Sequence, residues 1–257
     1  KAIQSNTKLI YTETITNPML QVSDIPQLSK LAKNKNIKLV VDNTFSPMIV
    51  APSIQGADIV IHSLTKFVNG KNDCIAGAIC ASNDFIASLC NVNNGTAMLL
   101  GPVLDPLRSS GILKNMHTLH LRMKQHSANA LYISENLLKN GISVNYPGLK
   151  AHKGYKTLKK MMNPEFGFGG MFTIDAGTSE KANALMEKME RAGVGYLAVS
   201  LGYFKTLFSN SGKSTSSEVP FKVQEKMGLS EGIIRFSVGL DNDIERTLGK
   251  ILKCLKE

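Results

Sequence analysis

No apolar run in this chain approaches the ~20 residues that a helix needs to cross a bilayer, so no membrane partner is expected. The four cysteines, Cys74, Cys80, Cys90 and Cys254, include no CxxC pair. That spacing offers neither a zinc ribbon nor a redox motif, and reduced thiols in the cytosol are the expectation. The start, Lys1-Ala-Ile-Gln-Ser-Asn, is polar and lacks an initiator Met. It is no signal peptide, and it reads as the abrupt start of a fragment. Acids are scarce beside bases, 20 against 30, for a net charge of +10. The lysines are scattered, however, with local densities at Lys30 to Lys38 and Lys150 to Lys160 and no interleaved aromatics. A solvated basic surface is expected, and no nucleic acid.

Two apparent motifs also fail. Gly212-Lys213-Ser214-Thr215 resembles the end of a phosphate-binding P-loop, but Leu207 stands where the motif needs its first glycine. Ser216, Ser217 and Pro220 then oppose the helix that should follow, so a nucleotide P-loop is rejected. His117, His120 and His126 sit on one helical stretch without an HExxH acid, and no metal site is expected.

What is present is a 257-residue chain, 43% hydrophobic and 19% charged, the composition of a globular protein able to bury a sizeable core. It is organised around Asp58-Ile-Val-Ile-His-Ser-Leu-Thr-Lys66. The short apolar run reads as a buried parallel strand. Ser63, Thr65 and Lys66 follow at its carboxyl end, the edge at which open α/β sheets bind ligands. Hydroxyls on that turn suit a phosphate, and a partly desolvated lysine suits an imine with a carbonyl.

Upstream, residues 8–13 read as a strand and Asn17-Pro18 as a break. A helix follows, capped by Ser23 or Asp24, with Pro26 in its first turn and an apolar face of Ile25, Leu28, Leu31 and Ala32. Residues 37–41 form a second strand ending at Asp42-Asn43, and residues 58–61 a third. Strand, helix, strand, crossover, strand is a right-handed parallel α/β unit. Parallel strands align their carboxyl ends, so Glu13, Asn17, Asp42 and the Ser63–Lys66 turn are expected to converge.

Further on, Cys74 to Ala81 reads as a strand, and Leu113 to Asn140 as one long helix with Gly141 at its C-terminal cap. Tyr146-Pro147-Gly148 is a turn, Phe168 to Asp175 a strand and Ser179 to Arg191 a helix. Gly193 to Leu201 leads into a Ser/Gly-rich loop from Ser209 to Glu218. Gly232 to Gly239 is a strand with alternating faces, on which Arg235, by itself, reads as a surface residue of an edge strand. Asp241 to Leu255 is the closing helix. The long helix divides the chain into an α/β portion, 1–112, and a smaller α+β domain, 113–257.

Several segments carry a family resemblance: Val41-Asp-Asn-Thr-Phe, Ile61-His-Ser-Leu-Thr-Lys66, Leu121-Arg-Met, Asn145-Tyr-Pro-Gly-Leu149, Ala198-Val-Ser-Leu-Gly202 and Gly232-Ile-Ile-Arg-Phe-Ser-Val-Gly239. Together and in this order they resemble the cystathionine/methionine group of pyridoxal-phosphate enzymes, of fold type I, over essentially the whole chain. Within it, Ser200 to Leu207 and Ser211 to Glu218 are nearest to the methionine γ-lyases of plant type. The resemblance implies the C-terminal part of a PLP-dependent transferase-like α/β domain, then the smaller α+β domain.

It also implies roles. Lys66 corresponds to the catalytic lysine that holds pyridoxal 5'-phosphate, and Asp42 to the carboxylate under the pyridine nitrogen. Ser63 and Thr65 correspond to hydroxyls on the phosphate. Asn17 corresponds to an amide near the cofactor's phenolic oxygen and the substrate carboxylate. Ser200 and Arg235 correspond to the pair that binds that carboxylate. The implied reaction is α,γ-elimination of L-methionine, or a related sulfur amino acid, to a thiol, ammonia and 2-oxobutanoate. Cystathionine γ-lyase or γ-synthase is the runner-up, and a non-catalytic, shortened relative the alternative outside the enzyme class. A homo-oligomer, a dimer of dimers with shared active sites, is implied as well. Members of the family carry a substantial portion before the position of Lys1, with a ring-stacking tyrosine and further phosphate ligands. The expectation is therefore that this polypeptide alone binds the cofactor weakly and turns over poorly.

Overall fold

Three parallel strands come first, because three short apolar runs each end at a polar turn. In a computed structural model that describes residues 2–211 and 220–256, β1 (Leu9–Glu13), β2 (Lys38–Asp42) and β3 (Ile59–Ser63) lie side by side. A fourth strand, β4 (Gly77–Cys80), closes this sheet antiparallel to β3. Between β1 and β2 runs α1 (Ile25–Asn34). Asp24 caps it, accepting from the Gln27 N–H at 3.0 Å, and Pro26 occupies the first turn, where no backbone donor is needed. Its buried face is Ile25, Ser29 and Ala32. The expected Leu31 is exposed, because at about 100° per residue it lies well round the helix from this face, on which the Ser29 hydroxyl donates to Gly56 O at 2.8 Å.

Two small helices, α2 (Asn83–Leu89) and α3 (Thr96–Leu100), bury none of their residues. The single long helix expected over 113–140 is two: α4 (Pro106–Met116) and α5 (Leu119–Lys139). At the junction His117 and Thr118 make i to i−3 bonds to Lys114 and Asn115, and the Asn115 carbonyl also accepts from Arg122 at 3.1 Å. The apolar periodicity passes through this break without marking it.

The second sheet holds β5 (Val144–Asn145), β6 (Met171–Asp175), β7 (Tyr196–Leu197), β8 (Leu207–Asn210) and β9 (Ile233–Ser237), in the order β5-β6-β9-β8-β7. β8 takes in Ser209 and Asn210, the first residues of the expected Ser/Gly-rich loop. Residues 212–218 of that loop, including Gly212–Thr215, lie outside the described residues. β9 is the central strand, so Arg235 lies on no edge. α6 (Tyr155–Met161) turns Leu158 and Met161 into the core of the first sheet, α7 (Ser179–Arg191) and α9 (Ile244–Lys256) share the core of the second, and α8 (Phe221–Met227) precedes β9.

Two apolar cores result. One centres on Leu39, Val41, Phe45, Ile49 and Phe67, and the other on Phe172, Ile234, Phe236, Met189 and Ile251. α5 serves both, with Met123 in the first and Ala130, Ile133 and Leu137 in the second. Leu201, from the second half of the chain, joins the first core beside the turn that carries Lys66. No helix among the described residues is long and apolar enough to cross a membrane.

Candidate active site

Parallel register places Glu13 opposite Asp42 and Asp42 opposite Ile61, so the segments leaving these strands share one edge. Asp42 is held at both oxygens. Oδ1 accepts from the Thr44 N–H at 2.9 Å, and Oδ2 accepts from the Tyr11 hydroxyl at 3.1 Å. Burial and the neighbouring Asp42 carboxylate push that hydroxyl up to about 12. Glu13 Oε2 accepts from the Asn17 N–H at 3.0 Å. Burial lifts its carboxyl above the usual range; the Asn17 N–H opposes this and Asp42 adds to it.

Lys66 lies in a five-residue π-turn, Leu64–Val68, directly after β3, and breaks its helical dihedrals at φ −90°, ψ −132°. Its Nζ donates to Ser200 Oγ at 3.0 Å. That hydroxyl in turn donates to Asn72 Oδ1 at 2.9 Å, so its proton is committed and its lone pairs face the amine. Burial, and then the charge of Arg235, hold the Lys66 amine below the usual lysine value. Gly202 lets the two chain segments meet: at φ +75°, a Cβ there would lie 2.3 Å from Phe67 N and 2.8 Å from the Lys66 carbonyl carbon.

Arg235 is 2% exposed. Its Nη1 donates to Asn17 Oδ1 at 2.9 Å, and Nη2 donates to the carbonyls of Val199 (3.1 Å) and Ser200 (3.2 Å). The Nε is buried without a partner. No carboxylate pairs with it among the described residues. Burial lowers its guanidinium to about 10. A guanidinium in such a place suits a planar anion, because a carboxylate can satisfy both donors and charge.

Lys66, Ser200, Arg235 and Asn17 therefore form one hydrogen-bonded chain, brought together from β9, the segment before Gly202, the π-turn and the Asn17-Pro18 break. Asp42 stands on the neighbouring strand. Ser63 heads the π-turn with no side-chain capping bond, and its N–H donates to Thr44 Oγ1 at 2.8 Å. The Thr65 hydroxyl accepts from the Ala76 N–H at 2.9 Å, tying the turn to the segment that enters β4. Sequence reasoning missed Tyr11 and Asn72. Tyr11 was findable: it pairs with Val40, two residues before Asp42, which puts the two side chains on one face. Asn72 carried no signal, since it reaches Ser200 across 128 residues. Among the described residues no group of three or more His, Cys, Asp or Glu could hold a metal ion.

A half-buried amine with a depressed pKa, a doubly held carboxylate, turn hydroxyls and a buried arginine fit a pyridoxal phosphate and its amino-acid substrate. The fold points the same way. The structure of a putative O-acetylhomoserine (thiol)-lyase from Campylobacter jejuni, with N'-pyridoxyl-lysine-5'-monophosphate, superposes with a TM-score of 0.89 at 26% identity. The match covers 100% of this chain and 68% of that one. The class is that of the fold type I pyridoxal-phosphate enzymes. The chain belongs to the family of Cys/Met metabolism PLP-dependent enzymes, whose model matches residues 1–252.

Methionine γ-lyase from Arabidopsis thaliana is 42% identical over 95% of this chain, and a Lactococcus lactis cystathionine β-lyase is 38% identical over 100%. The chain spans 56% and 66%, respectively, of the length of these two relatives. The expected family, fold type and cofactor are thereby met. The likeness to plant-type methionine γ-lyases is met as well.

Proposed function

We propose that this chain provides the lysine-bearing and carboxylate-binding parts of a carbon–sulfur lyase that converts L-methionine and water to methanethiol, ammonia and 2-oxobutanoate. The observation that carries the reading is the Lys66–Ser200–Arg235–Asn17 chain: an amine of lowered pKa hydrogen-bonded next to a buried guanidinium that pairs with no carboxylate among the described residues.

Pyridoxal phosphate, when bound, supplies an electron sink for the carbanion formed at the substrate's α-carbon. The residues of the chain do the rest. Arg235 and Ser200, with Asn17 beside them, hold the α-carboxylate and fix which α-bond is presented. Lys66, as the free amine, would take the proton from the substrate's α-carbon and pass it on; burial and the charge of Arg235, by lowering its pKa, favour that unprotonated form. Ser200 orients that amine. Asp42, with Tyr11 and Thr44 fixing its oxygens, would face the pyridine nitrogen and favour its protonated form. Ser63 and Thr65 serve the phosphate. Loss of a β-proton then expels the γ-thiol, and hydrolysis releases ammonia and the 2-oxo acid.

The 1–112 and 113–257 portions meet at these residues, and the proposed boundary falls in α4. Assembly as a homo-oligomer in the cytosol belongs to the same reading. Its support is the apolar surface of α3, α4 and the loop between them, where Leu100, Val103 and Leu107 are 76%, 79% and 83% exposed. The test is to incubate the protein with pyridoxal phosphate and either L-methionine or L-cystathionine, assaying 2-oxobutanoate and free thiol. Turnover of methionine at least equal to that of cystathionine supports the reading. Cystathionine turnover without methionine turnover overturns the substrate assignment.

A further inference from the structure

Leu121-Arg-Met belongs to the family pattern, yet nothing in the chemistry above uses Arg122. This residue is half-buried at the start of α5, and its guanidinium reaches back to the segment after Lys66. Nη1 donates to Phe67 O at 2.5 Å and Nη2 to Val68 O at 2.8 Å. Nη2 also reaches Asn115 O at 3.1 Å, and Nε reaches Thr118 Oγ1 at 3.2 Å. All four acceptors are neutral oxygens, and among the described residues no carboxylate pairs with Arg122. Two successive carbonyls gripped by one rigid fork is an arrangement that a lysine ammonium cannot copy.

The surroundings are built for this contact. Gly70, at φ +72°, has Arg122 Nη1 where its Cβ would be, 2.6 Å away. On the other side, Gly202 packs against the Lys66–Phe67 peptide. That peptide is thus held by backbone packing from one direction and by the guanidinium at the next two carbonyls. The same guanidinium ties down Asn115 O and Thr118, which shape the break between α4 and α5.

We infer that Arg122 is a positioning residue for Lys66: its fork on the Phe67 and Val68 carbonyls sets the non-helical backbone at Lys66 and so delivers Nζ to Ser200. The claim deepens the proposed function, which it takes as the reason for placing this amine, but it concerns geometry present without any cofactor. The charge acting on the amine comes from Arg235 on β9. Arg122 therefore works through placement, and a variant that keeps its charge while losing its fork should still let the amine drift.

The test is trace acetylation of the cofactor-free protein with acetic anhydride across a pH series, read at the Lys66 peptide by mass spectrometry. It compares the parent with Arg122→Lys and Arg122→Gln. In the variants the Lys66 midpoint should rise towards the ordinary lysine value of 10.5, as the amine leaves its desolvated place beside Ser200 and Arg235. Thermal melting is recorded alongside. A fall in melting temperature with an unchanged Lys66 midpoint overturns the inference and leaves Arg122 as a fold-holding residue only. Should the glutamine variant fail to fold, the lysine variant decides alone. A parent chain that forms no lysine-dependent band with pyridoxal phosphate would defeat the functional reading, whereas the acetylation result still decides the positioning claim.

Discussion

Lys66 Nζ and Ser200 Oγ meet at 3.0 Å although 134 positions separate them in the chain. The contact joins the edge of the first sheet to the segment beside the second, and each partner is fixed by something else. Lys66 is held by the backbone of its π-turn, and Ser200 by its donated bond to Asn72. Ser200→Ala removes the acceptor and leaves the amine to find another. A hydrogen bond to a neutral amine contributes about 0.5–1.5 kcal/mol, so kcat/KM for the amino-acid substrate should fall roughly two- to tenfold. Steady-state kinetics on parent and variant decide this, and equal values would refute the orienting role of Ser200.

Arg235 has the clearest split between affinity and chemistry. Arg235→Lys keeps a positive charge but loses the planar pair of donors now shared among Asn17 Oδ1 and two carbonyls. Loss of the bidentate grip on the substrate carboxylate should raise KM roughly thirtyfold, about 2 kcal/mol, with a much smaller change in kcat. If kcat drops while KM stays put, Arg235 is not the carboxylate site.

His126 makes a prediction about stability. It is fully buried, pairs Nδ1 with Val238 O at 2.6 Å and stands edge-on to Phe67, next to Lys66. Burial depresses its pKa to about 4, against 6.5 for the free side chain. Above pH 6.5 both folded and unfolded forms are neutral and the fold keeps its full stability. As pH falls from there towards 4 the unfolded chain takes up a proton that the folded one refuses, at a loss of about 3 kcal/mol. Urea midpoints measured through this range should show the loss in the parent and a flatter profile in His126→Gln. Matching profiles would remove His126 as the cause.

The legibility of the site in the sequence varied with the kind of interaction. β1, β2 and β3 were readable because each is a short apolar run stopped by polar residues, and parallel register then put Glu13, Asp42 and Lys66 on one edge without further information. The Asp24 cap with Pro26 was equally local. The break between α4 and α5 was not readable, because the guanidinium that bonds Asn115 and Thr118 there is shared with carbonyls more than fifty residues upstream. Arg235 misled for a related reason. Its strand alternates like a half-exposed edge, but β8 closes over the far side and makes β9 central, so a residue that looks solvated is buried. Only the family pattern marked it.

The central claim is that Lys66 is the amine that holds pyridoxal phosphate. Its most direct test is a visible absorbance titration of the protein with pyridoxal phosphate, beside Lys66→Ala, followed by borohydride reduction and peptide mapping. The account predicts a new visible band in the parent, none in the variant, and a reduced pyridoxyl group on the Lys66 peptide. The same band in both proteins, or the label on another lysine, would contradict it.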